Sequence, residues 1–572
     1  MTTPASKSKR IGSRIFFYLG SAWVVVEAFS FLIERYSLDP FLLELLIILV
    51  LFGLPGTFIH TSFTGRFNKK AIGLHVLNGI VALSVLFYFM SNPLVFNPGK
   101  LRVLKLGDNK GSFESLNSVA VLPFVNNLGD DDHDYLLAGM HDGLITEIGQ
   151  LGSIHVISRT STLSYAGTNK GVRQITKELE VDAVIETSIT RADTLVEVSI
   201  KLISAVPKER LLWSSSFSTS MGQLPNLYKE VTKNVALELN KVLSPEELEK
   251  LQPKRPIVPG AYEAHLRGRY YTGYLTPEGF ELAKSQFEKA IAIDSMFGLP
   301  YGGLAGVLGS RRQMGYVSGA EVNPVIDRLV EKAFELDSLS AELLAGFAAH
   351  LTWTKFDWEE AERYFLRSIE MNPNDAITRA YYAHYLMIRD RWKEAWNQME
   401  IGIELDPKNP WVVAFSSAMY FFDGKMLSAS KNAELLIRMA PDHPMANEML
   451  LGKYVALGKH DLAVEELKKF VGRTGDEKLG SMIDELYKKD DFAGTVRKLA
   501  IHIESLSNEI FVSPRIIYGL FEIIKDREKQ LFWMEKMFEV SDPNLPYYAI
   551  RNSDPIQDDP TYRMIMREIG LW

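Results

Sequence analysis

No cysteine occurs in the 572 residues. That absence excludes a disulfide scaffold, a thiolate metal site, an iron–sulfur cluster and a cysteine nucleophile, and it leaves the redox compartment open. The chain has no G-x-x-x-x-G-K-[ST], no G-x-S-x-G and no H-E-x-x-H pattern, so three common catalytic signatures are missing. A basic block is missing too. The 63 Lys and Arg against 71 Asp and Glu give a net charge of −8. Phosphate backbones are bound by clustered cations, so nucleic acid is not expected as a partner. A mostly disordered chain is excluded by 47% hydrophobic and 23% charged residues, an ordinary globular balance.

What is present first is three apolar runs, Ile15–Ile33, Phe41–Ile59 and Leu74–Met90. Each is long enough to cross a hydrocarbon core of about 30 Å as a helix. A cleavable signal peptide is the alternative for the first run, but a second follows closely and no A-x-A site appears. The N-terminal arm and the loop His60–Gly73 (Arg66, Lys69, Lys70) are richer in cations than the loop Glu34–Pro40. That asymmetry places the N-terminus inside and everything after Met90 outside the cytoplasm, although Lys100, Arg102 and Lys105 follow the third run. Glu27 and Glu44 lie within these runs as candidate intramembrane acids, able to share a proton or a hydrogen bond. The competing reading is that both snorkel to the interface.

A tether at 92–114 leads to a change of period. Ser118–Val125 and Ile154–Ser158 read as short buried strands, and Tyr135–Leu151 and Val172–Leu179 as helices. Ala183–Ile189 and Leu195–Ile203 alternate about Arg191-Ala192-Asp193 as a hairpin. Leu211–Phe217 adds a strand and Leu224–Val242 a helix, giving a mixed α/β domain. The acids of Gly129–Asp134 invite a metal reading, but consecutive acids cannot all face one ion, and helix N-terminal charge is the better account.

Val121-Leu122-Pro123-Phe124, Gly143, Arg159-Thr160-Ser161, Leu179-x-Val181-Asp182 and Leu212-Trp213-Ser214 resemble the TolB-like N-terminal domain over about 118–220. Glu186-Thr187 departs from the Glu-Gly usual there. The resemblance implies a bacterial membrane or signalling protein whose output domain is missing, because few residues precede the first apolar run.

Ser244–Pro259 holds Pro245, Pro253, Pro256 and Pro259 and reads as a linker. Beyond it, segments ending at Ser295, Ser338, Pro373, Pro407 and Pro441 recur at spacings of 43, 35, 34 and 34. Small residues Ala283, Ala361, Ala395, Ala429 and Ala463 stand in phase, and Gly424 and Gly458 hold matching turns. This is the tetratricopeptide (TPR) signature of paired helices. After about 475 the phase decays into Asp484–Leu506 and Ser513–Val540 as further helix pairs, and the tail resembles the terminal cap of TolB-like/TPR chains.

By analogy with that family, the concave face of the repeat should take the partner. In phase it includes His350, Trp353, His384, Met387, Phe421 and Phe422. The face lacks the Lys/Asn set that clamps a carboxylate, which favours an apolar peptide or a neighbouring domain. The alternative is that these side chains pack between repeats.

The fold expected is multidomain: three transmembrane helices, a mixed α/β TolB-like domain, then an all-α TPR solenoid. The boundaries are a basic cytoplasmic arm 1–14, the transmembrane segment 15–91, the tether 92–114, the α/β domain 115–243, the linker 244–260, the TPR repeats 261–475, and degenerate repeats with a C-terminal cap 476–572. The function expected is a membrane-anchored protein–protein interaction scaffold in the inner membrane with its large C-terminal part in the periplasm. The alternative is a receptor component that couples a TPR-bound partner through the membrane to a separate output protein. No catalytic residue, metal, cofactor or small-molecule substrate is expected; a protein or peptide partner and the membrane are. Oligomeric state is not set by the sequence.

Overall fold

A computed structural model describes residues 116–126, 134–192, 195–206, 208–441, 443–550 and 555–572. The three apolar runs, with Glu27 and Glu44, lie outside the described residues. Among the described residues no helix is long and apolar enough to cross a membrane. The longest, Gly319–Leu336, carries Glu321, Asp327, Arg328, Glu331, Lys332 and Glu335. The fold class with three transmembrane helices, and the multi-pass inner-membrane and periplasmic placement that rested on it, are therefore corrected. The fold shown is an α/β domain followed by a helical repeat.

The α/β domain runs β1 (Ser118–Val121), β2 (Val125–Asn126), α1 (Asp134–Gly149), β3 (His155–Ile157), α2 (Arg159–Thr162), α3 (Val172–Leu179), β4 (Ala183–Ala192), β5 (Leu195–Ser204), β6 (Arg210–Ser220) and α4 (Leu224–Glu238). The sheet order is β3-β1-β4-β5-β6, with β2 also on β4. β1 is parallel to β3 and β4, whereas β4, β5 and β6 form an antiparallel meander. β5 alternates buried Val196, Val198, Ile200 and Leu202 with more exposed neighbours, which is what one covered face demands. Helices α1 and α4 cover that face, and α3 covers part of the other through Val172 and Ile175. Asp182 explains its place in the sequence pattern. One carboxylate oxygen accepts the backbone N–H groups of Asn117 at 2.7 Å and Ser118 at 3.0 Å and the Ser118 hydroxyl at 2.9 Å, pinning the start of β1 to that of β4.

The proline-rich segment contains a short helix, α5 (Pro245–Lys250), whose start is fixed by a Ser244/Glu247 capping box. Eight helix hairpins follow. They are α6 (Pro259–Thr272) with α7 (Pro277–Ile293), α8 (Gly298–Gln313) with α9 (Gly319–Leu336), α10 (Ala341–His350) with α11 (Trp358–Met371), and α12 (Ala376–Ile388) with α13 (Trp392–Leu405). Then come α14 (Pro410–Phe422) with α15 (Met426–Met439), α16 (Pro444–Ala456) with α17 (His460–Gly472), α18 (Lys478–Tyr487) with α19 (Phe492–Leu506), and α20 (Pro514–Ile523) with α21 (Arg527–Glu539). The chain ends in the 3₁₀ segment Leu545–Ile550 and α22 (Pro560–Glu568).

The period of the repeat is visible in the backbone. Phe356, Asp390, Gly424 and Gly458 turn successive hairpins in the left-handed region, at φ of 55°, 59°, 73° and 63°. Only two of the four are glycine, so the packed helices hold the others there against local preference. Asp375 and Asn409 cap α12 and α14 by accepting backbone N–H groups at 3.0 Å. The in-phase Ala283, Ala361, Ala395, Ala429 and Ala463 are all buried where helices cross. This is a TPR-type repeat.

Candidate functional site

The first helices of the leading hairpins, α6, α8, α10, α12 and α14, line one side of a chamber of about 1640 Å³. Helix α1 and the segment 244–257 line the side formed by the α/β domain, and Tyr547 from the C-terminal 3₁₀ segment lines another edge. The chamber exceeds the 300–1,000 Å³ or so of ordinary small-molecule sites.

The α/β domain and the proline-rich segment that follows it are held against the repeat by a seam at the repeat ends. The sequence motif that closes each repeat places Asp294, Asp337, Asn372 and Asp406 just after α7, α9, α11 and α13. Arg255 is bidentate on Asp294, with both contacts at 3.0 Å, and Lys254 meets Asp337 at 2.9 Å. Lys250 donates to the Met371 carbonyl at 3.3 Å, and Thr160 donates to Asp406 at 3.3 Å. Asn374, beside Asn372, donates to the carbonyls of Gly149 at 2.9 Å and Ile154 at 3.1 Å. The next position in phase is Ala440. Apolar packing joins the same two parts: Ala261, Tyr262, Leu266 and Phe297 belong to the core of the α/β domain. Gly139 lets α1 approach α6, since a Cβ there would lie 2.7 Å from the Leu266 side chain.

Charge inside the chamber is unevenly matched. Arg269 on α6 pairs with Glu342 at 3.1 Å and also with Asp142 of α1, and those two carboxylates hold its proton more firmly than usual. Burial pushes the Glu147 carboxyl up to about 7 against the pull of Lys229 and Lys254. Its Oε2 accepts from Gln150 at 3.3 Å, while Oε1 has no partner among the described residues. Burial holds His265 well below its ordinary value, so it is neutral. Burial also lowers Arg312 to about 10 and His350 to about 4.

The six groove residues do not form one open surface. His350 and Trp353 are buried and line the chamber. His384 and Met387 are fully buried. The Tyr547 hydroxyl lies 2.9 Å from His384 Nδ1, and the Tyr547 ring stacks on Phe422 with centroids 5.6 Å apart. The C-terminal segment thus covers part of the concave face, and burial pushes His384 down to about 4. Phe421 is half-buried, edge-on to Phe422. Sequence reading missed Asp142, Glu147, Arg269, Arg312, Tyr381 and Tyr547. The glycines of α8 were the available signal, because Gly302, Gly306 and Gly309 mark one helix face.

Residues 115–234 match the family model described as the second domain of HilA/YgeH-like transcriptional regulators. That description differs from the TolB-like resemblance, which the match does not support. A curated relative, putative adenylate cyclase 3 of Rhizobium meliloti (strain 1021), is 28% identical over 152 residues, 27% of this chain and 26% of the relative. The chain therefore matches about a quarter of that protein's length. Among solved structures, Pseudomonas aeruginosa pilF is 17% identical with a TM-score of 0.26, covering 40% of this chain and 99% of that one. Human IFIT1, solved as a dimer with m7Gppp-AAAA, is 15% identical with a TM-score of 0.37, covering 61% and 79%. YrrB, described as a TPR protein with an unusual peptide-binding site, is 20% identical with a TM-score of 0.22, covering 35% and 98%. At these scores the repeat rests on the chain's own helix hairpins.

Proposed function

We propose that the chain is a non-enzymatic interaction scaffold, with the α/β domain and the helical repeat acting as one body toward a protein partner. The observation that carries this reading is the seam at Asp294, Asp337, Asn374 and Asp406, which ties the α/β domain and the proline-rich segment that follows it to four successive repeat ends. Because the α/β domain and the Tyr547 segment already occupy much of the concave side, the partner meets the outward faces of the hairpins. Leu366 and Leu427 are exposed there, Leu427 at 87%. A photo-crosslinking residue at Leu427 should capture a discrete protein in cells, and one at Val242 on the α/β side should not. Equal capture at both positions, or at neither, contradicts the reading.

The name of the cyclase relative raises the enzymatic reading directly. Full-length protein with ATP and Mg²⁺ or Mn²⁺ should form no cyclic AMP; measurable formation would overturn the scaffold proposal. A second reading is a signalling component whose output resides on another protein. It is favoured by the two sequence matches, one to a regulator's second domain and one to part of a putative cyclase. Under that reading the crosslinked partner carries the output activity.

A further inference from the structure

We propose that the chamber is a binding site for an organic carboxylate with an apolar body, and that Arg312 receives its acid group. Arg312 sits near the end of α8 with only 7% of its surface exposed. Its terminal nitrogens donate to the Asn323 side chain and, at 3.4 Å, to the Trp353 carbonyl. Its Nε has no partner and it makes no ion pair among the described residues. A buried guanidinium without a counter-charge is unfavourable unless something else supplies one. Asp542 and Asp327 act on it only at longer range, and Asp327 is already paired with Lys355 at 2.7 Å.

The surroundings of Arg312 are built for a guest. The backbone after α10 widens into a π-type turn, Leu351–Lys355, which ends at Phe356 with φ of 55°. Such turns are uncommon and recur at functional sites. This one places Trp353 and Thr354 on the chamber wall, beside His350. The buried Nδ1 of His350 and Oγ1 of Thr354 have no partner among the described residues. Trp353, Tyr381 and Phe415 meet edge-to-face in series, with centroids 5.5 and 5.3 Å apart, and all three line the chamber. Also on the chamber wall, Gly306 and Gly309 of α8 and Gly346 of α10 border open space: a Cβ on any of them would meet nothing within 4 Å. Glycine weakens a helix interior relative to alanine, so these positions keep room at the expense of local stability.

One guanidinium with neutral donors beside it matches a carboxylate, which is planar and singly charged. A phosphate dianion would bring two negative charges beside Asp327 and Asp542 for a single cation. The carboxylate could belong to a free acid or to the end of a peptide, and the two sources are separable.

The test uses the full chain and two matched pairs of probes: 4-phenylbutyrate against 4-phenylbutyramide, and an apolar heptapeptide with a free against an amidated C-terminus. Tryptophan fluorescence and melting temperature are read for each. At least one acid should bind ten-fold or more tighter than its amide and raise the melting temperature; which pair responds identifies the source. Arg312→Gln should remove that preference while melting within a few degrees of the parent. If Arg312→Gln unfolds, Gly309→Leu serves instead: it crowds the chamber wall one helical turn from Arg312 and should abolish acid binding in a folded protein, and acid binding that persists would overturn the assignment. Acids and amides that behave alike, or no binding by either acid at millimolar concentration, would overturn the assignment.

Discussion

The first helices of the hairpins between Pro259 and Phe422 line a chamber shared with another domain, whereas the helices from His460 to Glu568 pack mainly on one another. In the C-terminal part Val496, Leu499, Ile503, Ile516, Met534 and Ile565 are fully buried in one apolar cluster. In the leading part, Gly306, Gly309 and Gly346 border the chamber, and Arg312 and His350 keep buried polar atoms without partners among the described residues on its wall; Arg473 and Thr495 of the C-terminal part do so as well, so the chamber is what sets the two parts apart. Both parts use the same hairpin unit. The difference teaches that a repeat can lend stability at one end and give up packing at the other, because each unit contacts chiefly its neighbours.

The largest expected effect tests the packed end. Leu499→Ala removes a fully buried side chain of α19 and should lower unfolding free energy by about 2–5 kcal/mol. Chemical denaturation measures it, and a loss below about 1 kcal/mol would mean this end is as loosely built as the chamber. Unfolding is best followed by two probes, since long repeat arrays lose two-state behaviour.

The next prediction concerns the chamber wall. The folded pKa of Glu147, about 7, lies above the ordinary 4.5, so the fold favours the protonated acid. Its contribution is fully present below the ordinary carboxylate range and is lost as pH rises toward and past 7. Discounted for its partial access to chamber solvent, the loss should be about 1–2 kcal/mol. Glu147→Gln should flatten stability between pH 4.5 and 7 and raise it at pH 8. An unchanged pH profile would show that Glu147 finds a partner in solution.

The smallest effect has the opposite sign. Gly306→Ala adds a Cβ that meets nothing within 4 Å. It should stabilise the protein by about 0.5–1 kcal/mol through helix propensity. A destabilised variant would mean that the space beside Gly306 is closed in solution.

How much of this was legible in the sequence depends on the range of the contacts. The repeat was readable because its signals are local: alanines at helix crossings and turns every 34 residues. Most of the strand and helix order of the α/β domain was readable for the same reason, but Ser118–Val125 splits into β1 and β2, and the short α2 was not read. The repeat-end Asp and Asn residues were visible as punctuation, yet their partners Arg255, Lys254 and Thr160 stand between 39 and 246 positions away. That His384 and Phe422 are covered was not legible, because the covering residue, Tyr547, stands 163 positions from His384. Arg312 gave no signal, since an arginine near a helix end normally faces water.

Docking of the α/β domain onto the repeat can be tested directly because the chain has no cysteine. A Cβ at Gly149 would stand 3.4 Å from Cβ of Asn374, close to the spacing of about 3.5–4.5 Å that a disulfide needs. In the full chain carrying Gly149→Cys and Asn374→Cys, mild oxidation should close this bond nearly completely within one molecule, seen as a reducible mobility shift with no free thiol. Two thiols that stay free and reactive after oxidation would contradict a docked α/β domain, and with it the chamber.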